Sequence, residues 1–320
     1  MSDLIYPITI VFGLVAIGYG FGVLKLLPVA TGDHLSKFVF TVAVPILLFR
    51  TMISADFQGA VPWQLWVSYF TGVGCTWALG TLVIRRVFGR DARAGVVAGL
   101  AASFSNLVVL GIPFALGIFG EDGLEILLLI ISIHLLFMML TSVILFEHAV
   151  RADGVQTEDV DLPAVARRFV RNLFSNPIVV GILAGWMWRL LGWPLPPLID
   201  DISEALAKVA GPVALFAVGL TLLQFGFLGN VKQALAVSVI KLVFMPLVVL
   251  VLGLLVGLPP LALQVAVAAA SLPSGSNPYL IASHFGTGEG LASNALTIST
   301  ALAVATTLGW MLIVRAILNM

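Results

Sequence analysis

The chain has 320 residues, of which 60% are hydrophobic and only 10% are charged, with 16 basic and 16 acidic side chains and no formal net charge. A soluble domain has roughly half its residues apolar and about a quarter charged, so this composition excludes a water-soluble globule. The balanced charge gives no reason to expect nucleic-acid binding. One membrane-spanning helix needs about 20 apolar residues, and the apolar content is sufficient for about ten of them.

Ten apolar runs, separated by charged or Pro/Gly-rich breaks, predict ten spanning helices. In chain order the runs cover residues 4–24, 34–53, 64–84, 93–119, 124–146, 176–191, 205–226, 233–256, 260–285 and 290–315. One long polar stretch divides them five and five. We therefore expect a first five-helix repeat at 1–147, a cytoplasmic loop at 148–172 and a second five-helix repeat at 173–320. The predicted fold class is an all-α polytopic membrane protein.

The two halves share short segments in the same order and at a near-constant offset. PILLF beginning at Pro45 in span two is matched by PVALF beginning at Pro212 in span seven. Span four has AAS ending at Ser103, and span nine has AAS ending at Ser271. Such self-similarity indicates an internal repeat. Because each repeat has an odd number of spans, the second half should be inverted relative to the first, which is typical of transporters.

The positions of the Lys and Arg residues predict the orientation in the membrane, because cytoplasmic loops carry the excess of basic residues. One face has Lys25, Lys37, Arg85, Arg86, Arg90, Arg93, Arg151, Arg167, Arg168, Arg171 and Lys232, and the other has Arg50, Arg189, Lys208 and Arg315. The first face is therefore predicted to be cytoplasmic. Both termini should lie outside, in the plasma membrane or, for a bacterium, the inner membrane.

Spans four and nine are interrupted at corresponding places. Span four contains SFSN and then GIP, and span nine contains SLPSGSNPY. Proline and glycine favour an unwound segment, which membrane proteins tolerate only where it is buried in protein or lines a wet cavity. Matching breaks in two inverted halves indicate a substrate site. The candidate substrate-binding residues are Ser103, Ser105, Asn106, Ser274, Ser276 and Asn277, and the candidate crossover backbone residues are Gly111, Pro113, Pro273, Gly275 and Pro278. The alternative is that these side chains only cap the broken helix ends or bond across helices.

Three ionisable side chains inside the spans have open interpretations. Lys241 lies about eight residues, or ~12 Å, into span eight, which is deep for a free ammonium group. It is a further candidate for substrate binding, and the alternative is that it extends to the cytoplasmic interface. His134 in span five is interpreted as a core histidine, with proton transfer as the alternative. Arg50 is interpreted as an interfacial anchor, with attraction of anions as the alternative.

The segments SNLVVLGIPFALGIFG in span four and LPSGSNPYLIASHFG in span nine resemble the two crossover segments of the auxin efflux carrier family. The resemblance extends over nearly the whole chain, and the central loop is short, as in bacterial members. It implies a fold similar to the bile acid:sodium symporters, with spans one, two, six and seven as a scaffold. Spans three to five and eight to ten would form a moving core. By this resemblance Asn106, Pro113 and residues 273–278 occupy crossover positions.

We predict a membrane carrier that exports a small organic anion, a carboxylate similar to auxin or malonate, by an elevator-type alternating access. All 16 acidic residues are predicted to lie in loops or at span ends, which favours transport driven by the membrane potential alone. A sodium- or proton-coupled carboxylate symporter is the first alternative, and an intramembrane enzyme or a solute-sensing receptor is the second. No histidine begins a His-Glu-x-x-His motif, so we expect neither catalysis, nor a metal, nor a cofactor. The expected partners are the anion and the lipid bilayer, and a homodimer is left open.

Overall fold

The computed structural model describes residues 2–54, 62–154, 175–224 and 229–319, and these ranges are almost entirely helical. Seven of the described helices are long and apolar enough to cross a membrane, and three further apolar helices are shorter. The predicted all-α membrane class is confirmed. The inverted arrangement of ten spans stays a prediction. Most of the predicted loop at 148–172, with Arg167, Arg168 and Arg171, lies outside the described residues.

The described helices are numbered here in chain order. They are α1 (Ser2–Val23), α2 (Val29–Ser54), α3 (Pro62–Arg86), α4 (Ala92–Ser103), α5 (Leu107–Ala152), α6 (Pro177–Leu191), α7 (Pro197–Gln224), α8 (Val231–Leu255), α9 (Pro260–Ser271), α10 (Asn277–His284) and α11 (Glu289–Ile317). Short π-helical turns interrupt α2 and α8, and another begins α5. Helix α5 bends sharply at Gly120, where φ is 70°.

Each predicted apolar run coincides with one helix, with one part of the bent α5, or with a broken helix. Run four corresponds to α4 and the first part of α5, and run nine to α9 and α10. The largest difference is at α7, which begins at Pro197, eight residues before the predicted start at 205. Proline at the first helical position and Asp200 in the first turn both favour a helix start, so the helix includes polar residues that the hydropathy pattern left out.

Contacts divide the chain into two compact units, and each unit takes segments from both halves of the sequence. One unit consists of residues 1–9, 59–157 and 225–320, and we call it the crossover unit. The other consists of residues 10–58 and 158–224. Apart from residues 1–9, at the start of α1, the two units group the spans as the family resemblance implies. The repeats at 1–147 and 173–320 are defined by sequence similarity rather than by contacts, and they stay a prediction.

Small residues let the helices of the second unit approach closely. A Cβ added at Gly18 of α1 would collide with the carbonyl oxygen of Phe216 in α7, and one added at Gly181 of α6 would collide with the backbone of Pro45 in α2. Glycine at such contacts is typical of membrane helices, which associate through close van der Waals packing. The α2–α6 and α1–α7 contacts therefore require these glycines.

The two short helices of the crossover unit are buried on nearly every side. Helix α4 buries 11 of its 12 residues, and α9 buries 10 of its 12. Burial on nearly every side means that protein rather than lipid surrounds both helices. The ends of α4 and α9 therefore lie inside the unit, where unwound backbone needs partners from the protein.

Candidate functional site

Both short helices end in extended backbone at the positions that the sequence predicts. Helix α4 ends at Ser103, and Phe104 follows with φ −80° and ψ 103°. Helix α9 ends at Ser271, and Leu272 follows with φ −62° and ψ 151°. Leu272 precedes Pro273, and the proline ring disfavours the helical conformation for the residue before it. The breaks in spans four and nine are confirmed.

The two extended segments cross and pair as a short antiparallel bridge between Ser105 and Ser274. The N–H of Asn106 donates to the carbonyl oxygen of Pro273 at 3.0 Å, and the N–H of Gly275 donates to that of Phe104 at 3.1 Å. Each segment thus satisfies backbone groups that the other leaves without helical partners, as unwound backbone at membrane depth requires. The bridge fixes the register of the crossing.

Lys241 of α8 is fully buried beside this bridge. Its ammonium group donates to Ser105 Oγ at 2.8 Å and to the carbonyl oxygen of Ala270 at 2.6 Å, and it lies 3.1 Å from Met245 Sδ. An ammonium group has three donors, so these contacts use its full capacity. The alternative in which Lys241 extends to the interface is wrong. Binding of substrate by Lys241 stays a prediction.

Helix α11 supplies hydroxyl groups to the same crossing. Ser299 Oγ accepts a hydrogen bond from the N–H of Ser274 at 3.0 Å, and Thr307 Oγ1 donates to the carbonyl oxygen of Ser271 at 3.1 Å. Sequence reasoning missed both residues. Their spacing of eight residues places them on one stripe of a helix. This spacing is the sequence signal from which a polar stripe on α11 could have been predicted.

Several predicted binding residues have their polar groups turned to protein partners. Ser103 is fully buried and donates to the carbonyl oxygen of Gly99 in its own helix at 2.8 Å, and Ser105 accepts from Lys241. Ser274 is 1% exposed and its hydroxyl lies 3.5 Å from the carbonyl oxygen of Gly275. These three serines stabilise the crossing, and none of them is accessible to a ligand in this conformation.

Asn106, Ser276 and Asn277 form the accessible edge of the crossing. The two asparagines are half-buried and Ser276 is exposed. Among the described residues, neither asparagine amide has a hydrogen-bond partner, and the N–H groups of Ser276 and Asn277 have no acceptor. Asn277 also begins α10, whose N-terminus carries a positive partial charge. The edge can therefore donate several hydrogen bonds to an anionic group such as a carboxylate.

The remaining crossover residues are buried and shape the backbone. Gly111 donates its N–H to the carbonyl oxygen of Asn106 at 3.0 Å, in the π-helical turn that restarts the helix. Pro278 lies in the first turn of α10, where the missing N–H has no helical partner to lose, and Pro113 follows the π-helical turn that begins α5. Gly275 leaves 3.0 Å between an added Cβ and the ring of Phe104, so a larger residue would disturb the bridge.

His134 of α5 packs as an aromatic ring behind the crossing. It is 4% exposed, and its centroid lies 4.9 Å from that of Phe104 and 5.9 Å from that of Tyr69. Neither ring nitrogen has a hydrogen-bond partner among the described residues. The geometry fits the interpretation as a core residue.

Arg50 belongs to the second compact unit and not to the crossing. Its guanidinium donates to the carbonyl oxygen of Asp200 at 2.8 Å and to Ser203 Oγ at 2.6 Å, and it forms an ion pair with the Asp200 carboxylate. Arg50 thus joins the end of α2 to the start of α7.

Comparisons with known proteins cover nearly the whole chain. A family model described as membrane transport protein matches residues 3–311. The chain is 27% identical to a "Putative malonate transporter" of Rhizobium meliloti (strain 1021), over 95% of this chain and 94% of the relative. It is 24% identical to auxin efflux carrier component 8 of Arabidopsis thaliana, over 90% of each chain. An uncharacterized transporter of Methanothermobacter thermautotrophicus is 28% identical, over 91% of this chain and 92% of the relative.

Proposed function

The chain belongs to the membrane transport protein family of the auxin efflux carriers, and from that premise we propose that it exports a small organic anion by alternating access. The observation that carries the proposal is the accessible edge of the crossing, where Asn106, Ser276 and Asn277 offer hydrogen-bond donors without partners among the described residues. Donors concentrated at a helix N-terminus suit a carboxylate. The relative named as a malonate transporter makes a small dicarboxylate the first substrate to test.

The contacts of Lys241 support transport without a coupling cation. Its ammonium group bonds the Ser105 hydroxyl and the Ala270 carbonyl, which are oxygen ligands of the kind that a sodium ion needs. In this proposal the Lys241 amino group fills the position at the crossing that a coupling cation would occupy. The membrane potential then acts on the anion, at about 2.3 kcal/mol per charge per 100 mV, and a negative interior favours export.

The division into units supports an elevator-type mechanism. Both breaks, Lys241 and the donors of the accessible edge belong to the crossover unit. A unit with its own contacts can move as one body and carry the site with it. In this proposal the crossover unit moves, and the second unit is the scaffold.

The test is transport in proteoliposomes, with the potential clamped by potassium and valinomycin and radiolabelled malonate as the first probe. An aromatic monocarboxylate should be measured in parallel. For one net negative charge, as on a monocarboxylate, 100 mV should shift the equilibrium distribution about fiftyfold, and for the doubly charged malonate the shift should be larger. For the variants Asn106→Ala and Asn277→Ala, Ser142→Ala is the matched control, because this buried serine of the same unit donates only within α5, to the carbonyl oxygen of Met138. Transport that ignores the potential and requires a sodium or proton gradient would identify a symporter instead.

A counterflow measurement distinguishes a carrier from a solute-sensing receptor or an intramembrane enzyme. A carrier accelerates uptake of labelled substrate when unlabelled substrate is present on the far side, whereas a receptor or an enzyme does not. The relatives compared above are named as transporters or carriers, and none is named for catalysis. We therefore expect counterflow.

A further inference from the structure

The crossover unit contains a second feature, a cavity of about 440 Å³ between α3 and the second part of α5. One face of α3, from Gly74 to Arg86, forms one wall, and Phe137, Thr141 and Leu145 of α5 form the other. None of the candidate substrate-binding or crossover backbone residues of the two breaks lines this cavity. Its volume is within the range of ligand sites, roughly 300–1,000 Å³.

The cavity has the length of one leaflet of a bilayer. From Gly74 to Arg85 the wall extends 11 residues along α3, or about 16 Å at 1.5 Å per residue. Half of the hydrocarbon core is about 15 Å thick. Apart from two threonine hydroxyls and the indole N–H of Trp77, its lining side chains are apolar until the arginines at the end of α3.

The end of the cavity carries uncompensated positive charge. Arg85 and Arg86 are exposed, and neither has a hydrogen bond or ion pair with any described residue. No acidic side chain lines the cavity. The aliphatic part of Arg85 rests on α4, where an added Cβ at Gly95 would lie 2.8 Å from Arg85 Cγ. This contact holds the base of the Arg85 side chain at the cavity.

We propose that this cavity binds one anionic phospholipid of the cytoplasmic leaflet, with its acyl chain along α3 and its phosphate at Arg85 and Arg86. The apolar wall selects a lipid over a free anion, because a soluble anion gains nothing from an apolar groove of this length. The two guanidinium groups select an anionic headgroup over a neutral one, and basic residues at the cytoplasmic ends of helices attract anionic lipids. The site is separate from the proposed anion-transport site and does not depend on the substrate.

Native mass spectrometry of the full chain tests the proposal. The detergent-solubilised protein is equilibrated with an equal mixture of phosphatidylglycerol and phosphatidylcholine, and the lipid retained on the protein is measured. The wild type should retain phosphatidylglycerol preferentially. The double variant R85Q/R86Q should weaken this retention about thirtyfold, since each basic residue at the surface contributes a factor of roughly five to anionic-lipid binding.

Two further variants make the result specific. K25Q/K37Q removes the same charge from the same predicted face, at two exposed lysines outside the cavity, and should leave retention unchanged. Gly74→Leu keeps both arginines but fills the apolar wall, where an added Cβ meets no atom within 4 Å, and should also reduce phosphatidylglycerol retention. Folding of each variant is verified by its elution profile and thermal transition.

Four outcomes would overturn the proposal. Equal retention of the two lipids by the wild type would remove the preference for an anionic headgroup. An equal loss in R85Q/R86Q and K25Q/K37Q would mean that the attraction is general and not at this cavity. Unchanged retention in Gly74→Leu, or displacement of the lipid by soluble glycerol phosphate at the lipid's own concentration, would mean that only a free anion site exists.

Discussion

The hydrogen bond between Ser105 and Lys241 is expected to couple the two side chains energetically. Ser105→Ala removes one of two oxygen acceptors from an ammonium group that is fully buried, and both side chains are 0% exposed. Water therefore cannot replace the lost acceptor without opening the crossing. A hydrogen bond to a charged group contributes roughly 1.5–3 kcal/mol, and we expect Ser105→Ala to lower the free energy of unfolding by about this amount.

A double-mutant cycle isolates this interaction from the other consequences of changing a buried charge. Lys241→Met alone relieves a desolvation penalty of several kcal/mol, but it leaves Ser105 and the Ala270 carbonyl without their donor, at about 1–3 kcal/mol each. Lys241→Met therefore raises or lowers the free energy of unfolding according to whether the relieved desolvation penalty or the cost of the two unsatisfied groups is larger. In the double variant the Ser105 hydroxyl and its donor are both absent, so the coupling energy of the cycle should be about 1.5–3 kcal/mol.

Reversible unfolding in mixed detergent micelles, followed by the fluorescence of the seven tryptophans, measures these free energies. The matched cycle pairs Lys241→Met with Ser142→Ala, whose hydroxyl bonds only within its own helix, and its coupling energy should be below about 0.5 kcal/mol. If the Ser105 cycle gives a coupling energy as small as the Ser142 cycle, the buried ammonium does not depend on this hydroxyl and the reasoning is refuted.

Asn106→Ala and Asn277→Ala should each weaken binding or transport of the anion about tenfold to a hundredfold, because each removes a hydrogen bond to a charged ligand. Normal affinity in both variants would mean that the substrate site lies elsewhere. Burial raises the pKa of the Asp153 carboxyl, but hydrogen bonds from two backbone N–H groups and a guanidinium at the start of α4 lower it further, to a net value below the ordinary one. The ionised carboxylate stabilises the fold fully well above about pH 4, and this stabilisation is lost as the pH falls through the lowered pKa. The difference in free energy of unfolding between the wild type and Asp153→Asn should therefore become smaller in acid. A difference that does not change with pH would contradict this prediction. Cysteines can be introduced at Ser2 and at Asp159 in a background without the native cysteine; Asp159 lies outside the described residues. The two cysteines should label from opposite faces of the membrane, and labelling from the same face would exclude the inverted repeat.

The sequence by itself determined the membrane class, the positions of the apolar helices and the two breaks. Each depends on local properties of the chain. Apolar runs of about 20 residues have to be helical in a bilayer, because a helix satisfies its own backbone hydrogen bonds. Pro273 disfavours helical backbone at Leu272 and has no N–H to continue the helix, and the glycine and second proline that follow within five residues add to this effect. The sequence prediction missed the start of α7 at Pro197, because a hydropathy pattern detects apolar residues and not the polar first turns of a helix.

Only the tertiary structure decided which polar groups of the breaks are available. Ser103, Ser105 and Asn106 lie within four positions, and the sequence treats them as equivalent candidates. The fold gives Ser103 a partner in its own helix, gives Ser105 a partner 136 residues away in Lys241, and leaves the Asn106 amide without one among the described residues. Hydrogen-bond partners so distant in the chain are set by how helices pack, and helical periodicity carries no information about which helix lies opposite. The same packing buries Lys241, whose depth in its helix could be read from the sequence while its partners could not.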